Sequence, residues 1–242
     1  MAKTHCHLVF SLLALALVRS LPTTATKLEC NNTNKLLGVL ELTEEDRQYL
    51  LEVHNTFRKF AASGKALGGQ PPAQNMLELT WDEHAAQQAY DWASLCQWKH
   101  NQPTDIDGKS PMGQNLALKS STKLSKVRKT FDKWMKSMVR GWYNEVKLYT
   151  FGSPFSMETG HYTQLVWATT SKLGCGYSYY QEIDDSNTKW HSGYLVCNYN
   201  PAGNWEGKVP YVTGKQNCSG YDLDKSTKYP HLCVEKKKKK GN

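Results

Sequence analysis

The chain has 242 residues, of which 39% are hydrophobic and seven are cysteine, and it carries a formal charge of +8. This length suits one well-buried domain with a short extension rather than an array of domains. The charge is confined to the ends: Lys3 and Arg19 fall in an export-type leader and Lys236 to Lys240 form a basic tail, so the body is near neutral and no nucleic-acid partner is expected.

Lys3, the apolar run Leu8 to Val18 and the small residues between Ser20 and Ala25 read as an export signal, spanning 1–20 or extending to about residue 25. The run falls short of the roughly 18 apolar residues a bilayer requires, and no other segment approaches that length, so a secreted chain without a transmembrane span is expected. Cys6 leaves with the leader. Cys30, Cys96, Cys175, Cys197, Cys218 and Cys233 remain, an even set that argues for disulfides in an exported protein, with several connectivities open. Asn31 in "NNT" and Asn217 in "NCS" are glycosylation sequons.

A segment 21–43 containing Cys30 precedes the first helix, expected over Leu42 to Ala62 with Thr43 as its cap, acids in its first turn, and Leu50, Val53, Phe57 and Phe60 as one apolar stripe. Gly64 ends it, and "GGQPPAQN" (68–75) is a loop. Thr80 to Cys96 reads as a second helix capped by Thr80, with Trp81, Ala85, Ala89 and Trp92 on its core face. "QNLAL" (114–118) suits a strand. A third helix is expected from about Leu124 to Leu148, where Val127, Phe131, Trp134, Met138 and Trp142 recur at helical spacing and lysines fill the wet face. From Gly160 the period alternates: "GHYTQLVWATT" (160–170) and "YLVCNYNPAGNW" (194–205) both look like strand followed by turn. Leu173 to Tyr180 and Trp190 to Tyr199 are strands joined by a polar loop, a hairpin that makes Cys175 and Cys197 the easiest pair to justify. Helices first and an antiparallel hairpin late give an α+β fold.

Four ordered blocks, "HNTFR" (54–58), "GQNL" (113–116), "GHYTQLVWATT" and "YLVCNYNPAGNW", make the chain resemble the CAP superfamily of cysteine-rich secretory proteins, antigen-5 allergens and plant pathogenesis-related class-one proteins. "QPPAQNM", "WASLCQWKHN" and "MGQN" look closest to arthropod antigen-5 proteins of venom and saliva. The resemblance implies a three-layer α-β-α sandwich with a small antiparallel sheet over 44–212, the bridges Cys30 to Cys96 and Cys175 to Cys197, and Cys218 to Cys233 in an extension, 213–235, ahead of the lysine-rich 236–242. The further cysteine-dense domain of cysteine-rich secretory proteins proper is absent, which removes the basis for channel blocking.

The resemblance also implies a central cavity lined by two histidines and two acids. Residue by residue these are His100, His161, Glu145 and, in place of the second acid, Gln114. Glutamine keeps an acceptor and adds a donor, but it can neither act as a base nor offset a dication. Imidazoles and a carboxylate suit zinc or copper, so His100, His161 and Glu145 are the candidate metal ligands, with no cofactor required and with occupancy weakening as the imidazoles take up protons. A metal-dependent peptidase or redox enzyme is the alternative, yet no Gly-x-Ser-x-Gly elbow exists and bridged cysteines leave no free nucleophile. His54 and Arg58, four apart on one helical face, read as packing and local hydrogen bonding. The expected protein is therefore a secreted, non-enzymatic, monomeric effector. Its expected partners are extracellular host or self proteins, a lipid or sterol, a metal, or anionic polysaccharide on Lys236 to Lys240.

Overall fold

The computed structural model describes residues 28–236, so the expected export signal and Lys237 to Lys240 lie outside the described residues. Strand β1 (Lys35–Val39) precedes helix α1 (Glu44–Ala62). The Thr43 hydroxyl accepts from the Asp46 N–H while the Asp46 carboxylate accepts from the Thr43 N–H, a reciprocal cap that fixes where α1 begins. Gly64, at φ 71°, turns the chain away after Ser63.

The second helix starts later than the periodicity suggests. Thr80–Trp81 form a short strand, β2, parallel to Lys172 and Leu173, and the cap of α2 (Glu83–Ser94) is Asp82, whose carboxylate accepts from the Ala85 N–H at 2.9 Å. Trp81 thus leaves the helix face and lies beneath the Arg47 guanidinium. Strand β3 (Gly113–Ser121) covers the expected segment and extends it. Helix α3 runs over Val127–Asn144, with Glu145–Lys147 closing it as one 3-10 turn. Leu124 and Leu148 lie outside it and are exposed, since neither meets the core.

The larger difference is at Gly160, where a helix, α4 (Gly160–Leu165), replaces the expected strand. Residues 162–168 are buried on every side, so apolar pattern alone could not separate strand from helix there. The helix is set by long-range partners: the Glu145 carboxylate accepts from the Tyr162 N–H at 3.0 Å, standing in for an absent local cap.

Strands β4 (Lys172–Ile183) and β5 (Lys189–Asn200) form the expected hairpin, with Cys175 opposite Cys197. The antiparallel order is β1-β4-β5-β3, with β2 added in parallel on β4. One sheet face, carrying Leu173, Cys175, Tyr177, Leu195, Cys197 and Tyr199, packs with α1, α3 and α4; the other, carrying Tyr194 and Val196, packs with Ala89 and Ala93 of α2. Both faces are covered, which is why these strands read as nearly continuous apolar runs. The approach of α2 is close enough that a Cβ on Gly174 would sit 2.1 Å from the Ala86 nitrogen, so only glycine fits.

Three bridges are present: Cys30 to Cys96 ties the N-terminal segment to the end of α2, Cys175 to Cys197 crosses β4 and β5, and Cys218 to Cys233 closes the C-terminal extension. The last pins a small hairpin, β6 (Leu223–Lys225) and β7 (Cys233–Glu235), against Met76 and Glu78 through backbone hydrogen bonds. Asn31 and Asn217 are exposed. Among the described residues no helix is long and apolar enough to cross a membrane.

Candidate functional site

Three segments far apart in sequence converge at one end of the sheet. Helix α3 ends at Glu145, α4 begins beside it with His161, and β3 opens with Gln114 next to the loop that carries His100. His161 Nδ1 is 2.7 Å from Glu145 Oε1, and its ring stacks on Trp142 with centroids 6.2 Å apart. His100 Nδ1 is 3.0 Å from Gln114 Oε1. Both neighbours of the rings are oxygens that accept, so in the neutral ring the proton sits on Nδ1 and the lone pair on Nε2. Neither Nε2 has a hydrogen-bond partner among the described residues.

The two histidines line the same cavity of about 160 Å³, together with Gln114, Asn115, Phe155, Met157, Gly160 and Asn204. The cavity adjoins a wider cleft of about 590 Å³ that shares Phe155 and Asn204 and is bordered by Glu206, Gly207, Lys208 and Val209. Glu145 is placed differently from the sequence expectation. Its carboxylate stands behind His161, with Oε1 on the ring and Oε2 on the Tyr162 N–H, and it is not among the lining residues. It orients a ring rather than facing the cavity. In keeping with this, no group of three or more His, Cys, Asp or Glu among the described residues is placed to surround a metal ion.

Gln114 is held by a complete set of partners. Its Nε2 donates to Asn101 Oδ1 at 2.6 Å and Asn198 Oδ1 at 2.9 Å, while Oε1 accepts from His100 and from the Asn101 N–H. Asn198 is fully buried and its own amide donates to the Ala85 carbonyl, which fixes the direction of its oxygen. The surroundings therefore present acceptors to position 114, and a neutral donor is what they fit. Asn101, Asn198, Asn115 and Asn204 were not singled out from sequence. Their residue type alone does not mark them, although each lies within a quoted block: Asn101 in "WASLCQWKHN", Asn115 in "GQNL", and Asn198 and Asn204 in "YLVCNYNPAGNW".

The other conspicuous pair, His54 and Arg58, is elsewhere and wholly buried. His54 Nδ1 donates to the Leu50 carbonyl at 2.7 Å and Nε2 lies 3.0 Å from the Tyr199 hydroxyl. Arg58 donates to the carbonyls of Leu77, Leu165, Trp167, Ala168 and Thr170. Burial pulls the His54 pKa down to about 4, helped by the neighbouring Arg58 charge, so the ring stays neutral.

The donor set at the open cavity fits a divalent transition metal in part. Two imidazole Nε2 atoms are available, one backed by a carboxylate as metal-binding histidines usually are, and the remaining positions would fall to solvent or another ligand.

A family model described as the Cysteine-rich secretory protein family matches residues 51–199. The chain is 55% identical to a salivary antigen-5 of Triatoma infestans, with 100% of each chain covered. It is 40% identical to venom allergen 5 of Vespula flavopilosa, over 77% of this chain and 89% of that one. Among solved structures, the crystal structure of NaASP2 with Zn2+ is 30% identical at a TM-score of 0.59, covering 79% of this chain and 96% of that one.

Proposed function

This chain belongs to the Cysteine-rich secretory protein family, and on that premise we propose that it is an exported, non-enzymatic binding protein of the salivary and venom antigen-5 kind that holds a transition-metal ion, zinc or copper, in the histidine cavity. One observation carries the metal reading: both Nδ1 atoms are tethered by acceptors, both Nε2 atoms are unpartnered among the described residues, and both rings line one cavity. The zinc of NaASP2, a relative with the same fold, supports it. His100 and His161 are the ligands, Glu145 and Gln114 set the ring orientations, and the metal supplies a Lewis-acidic anchor for an extracellular partner's oxygen or nitrogen. The non-enzymatic part rests on the lining: it holds no hydroxyl or thiol nucleophile and no carboxylate, and the Glu145 carboxylate behind His161 is consumed by two hydrogen bonds.

Calorimetric titration with zinc and with copper tests the site. Micromolar or tighter binding that disappears in the His100→Ala, His161→Ala double variant is expected, and undiminished binding in that variant overturns the assignment. A second reading, redox chemistry at bound copper, is favoured by the exposure of His100, which leaves the cavity open to small oxidants. Chelator-sensitive electron transfer lost in the same variant would establish it. For a lipid or sterol partner the matching feature is separate: a groove of about 290 Å³ between α1 and α3, floored by Val53 and Phe57 and edged by Phe60, Lys136 and Arg140. Binding of a fluorescent fatty acid that is unaffected by the histidine changes is expected there.

A further inference from the structure

Cavity-lining residue Met157 is unlike the other methionines. Met76, Met112, Met135 and Met138 are buried at 0–5% exposure, whereas Met157 is 80% exposed, the one exposed methionine among the described residues. A thioether is an apolar, flexible group that ordinarily fills gaps in cores, so a solvent-facing one contributes nothing to packing. Yet Met157 lines the same small cavity as the unpartnered Nε2 atoms of His100 and His161. Its loop is anchored there: Phe155 lies against Gly160, where an added Cβ would come within 3.2 Å of the ring, and the Thr159 N–H donates to the Ser156 carbonyl.

We propose that the Met157 sulfur is the third protein ligand of this cavity and makes the site select Cu(I) over Zn(II). The inference rests on the metal reading above and deepens it. Two imidazoles alone suit zinc and copper alike; adding a thioether biases the set towards the softer ion, because sulfur donors favour Cu(I) while zinc takes its sulfur from thiolates. Thiolates are unavailable, since all six described cysteines are bridged. The missing second acid fits the same preference. Gln114 adds no negative charge, so a monovalent cation loses less than a divalent one from the substitution.

The test uses the full mature protein, its Met157→Leu variant and the His100→Ala, His161→Ala variant, the two metals being measured separately. Cu(I) is delivered anaerobically with ascorbate and competed against bicinchoninate; Zn(II) is competed against a chromophoric chelator. Wild type should hold Cu(I), Met157→Leu should weaken Cu(I) by about tenfold or more with zinc affinity changed by less than about twofold, and the double histidine variant should lose both. X-ray absorption of the Cu(I) form should show one sulfur scatterer that vanishes in Met157→Leu. Equal weakening of both metals, no weakening of Cu(I), or a copper spectrum without sulfur overturns the role of Met157 while leaving the histidine site intact. Failure of wild type to bind either metal removes the metal reading itself. Leucine keeps the volume and apolarity of an exposed side chain, so loss of fold is not expected, and a melting curve matching wild type confirms it.

Discussion

Two histidine clusters, about His54 and about His161, are built from similar residue types and do opposite things. At His54 and Arg58 every donor has an acceptor: one ring nitrogen on Leu50, the other on Tyr199, and a guanidinium spread over five carbonyls from two distant segments. At His161 and His100 only Nδ1 is engaged, Nε2 has no partner among the described residues, and both residues line one cavity. Asn115 joins the two, donating both to the His161 carbonyl and to the Tyr199 hydroxyl. The difference teaches that saturation, more than residue type, separates a polar group that holds the fold from one free to bind.

The contrast predicts its largest effect at Arg58. Replacing it with methionine takes a donor from five buried carbonyls, of which Trp167 and Ala168 keep the Thr170 and Leu77 N–H groups, and should cost about 4–5 kcal/mol, read as a lowered denaturant midpoint, or prevent folding. A loss below about 1 kcal/mol would mean the carbonyls find other donors.

Next comes the pH dependence of His54. The unfolded chain takes up a proton below about pH 6.5 and the folded one only below about 4. The unfolded state thus binds more protons between these values, so stability complete above pH 6.5 falls as pH drops towards 4, by roughly 3 kcal/mol. Denaturation series across that range should show this slope, flattened in His54→Gln; an unchanged slope in the variant assigns it to other groups.

At the open cluster, Glu145→Gln removes the charge behind His161 and should lower metal affinity by about 10–100-fold with little change in secondary structure. Titration showing equal affinity would make Glu145 a cap for α4 alone. The smallest effect belongs to Gln114→Glu. Its new oxygen meets Asn198 Oδ1, which the Ala85 carbonyl holds in place, so a loss of about 1–2 kcal/mol in thermal or denaturant stability is expected. A stabilised variant would show that the asparagines reorient.

The cap at Thr43, the turn at Gly64 and the hairpin that pairs Cys175 with Cys197 were legible because each depends on residues close in sequence or on a simple alternation. The start of α2 is not legible in the sequence, because Thr80 and Asp82 are both good caps and pairing of Thr80–Trp81 with β4 decides between them. The role of Glu145 was half legible: its place beside the histidines followed from the resemblance, but its position behind His161 did not.

By itself the sequence determined the mixed α and β composition, the cysteine set and the family blocks, since these reside in spacing and residue chemistry; the two histidines followed only from the resemblance that those blocks carry. Only the tertiary structure decided that residues 160–165 coil into a helix, that Glu145 turns its oxygens inward, and that Met157 stands at the cavity. Each of these depends on partners many residues away, and a hydrogen bond from a remote segment can outweigh a weak local preference for strand or helix.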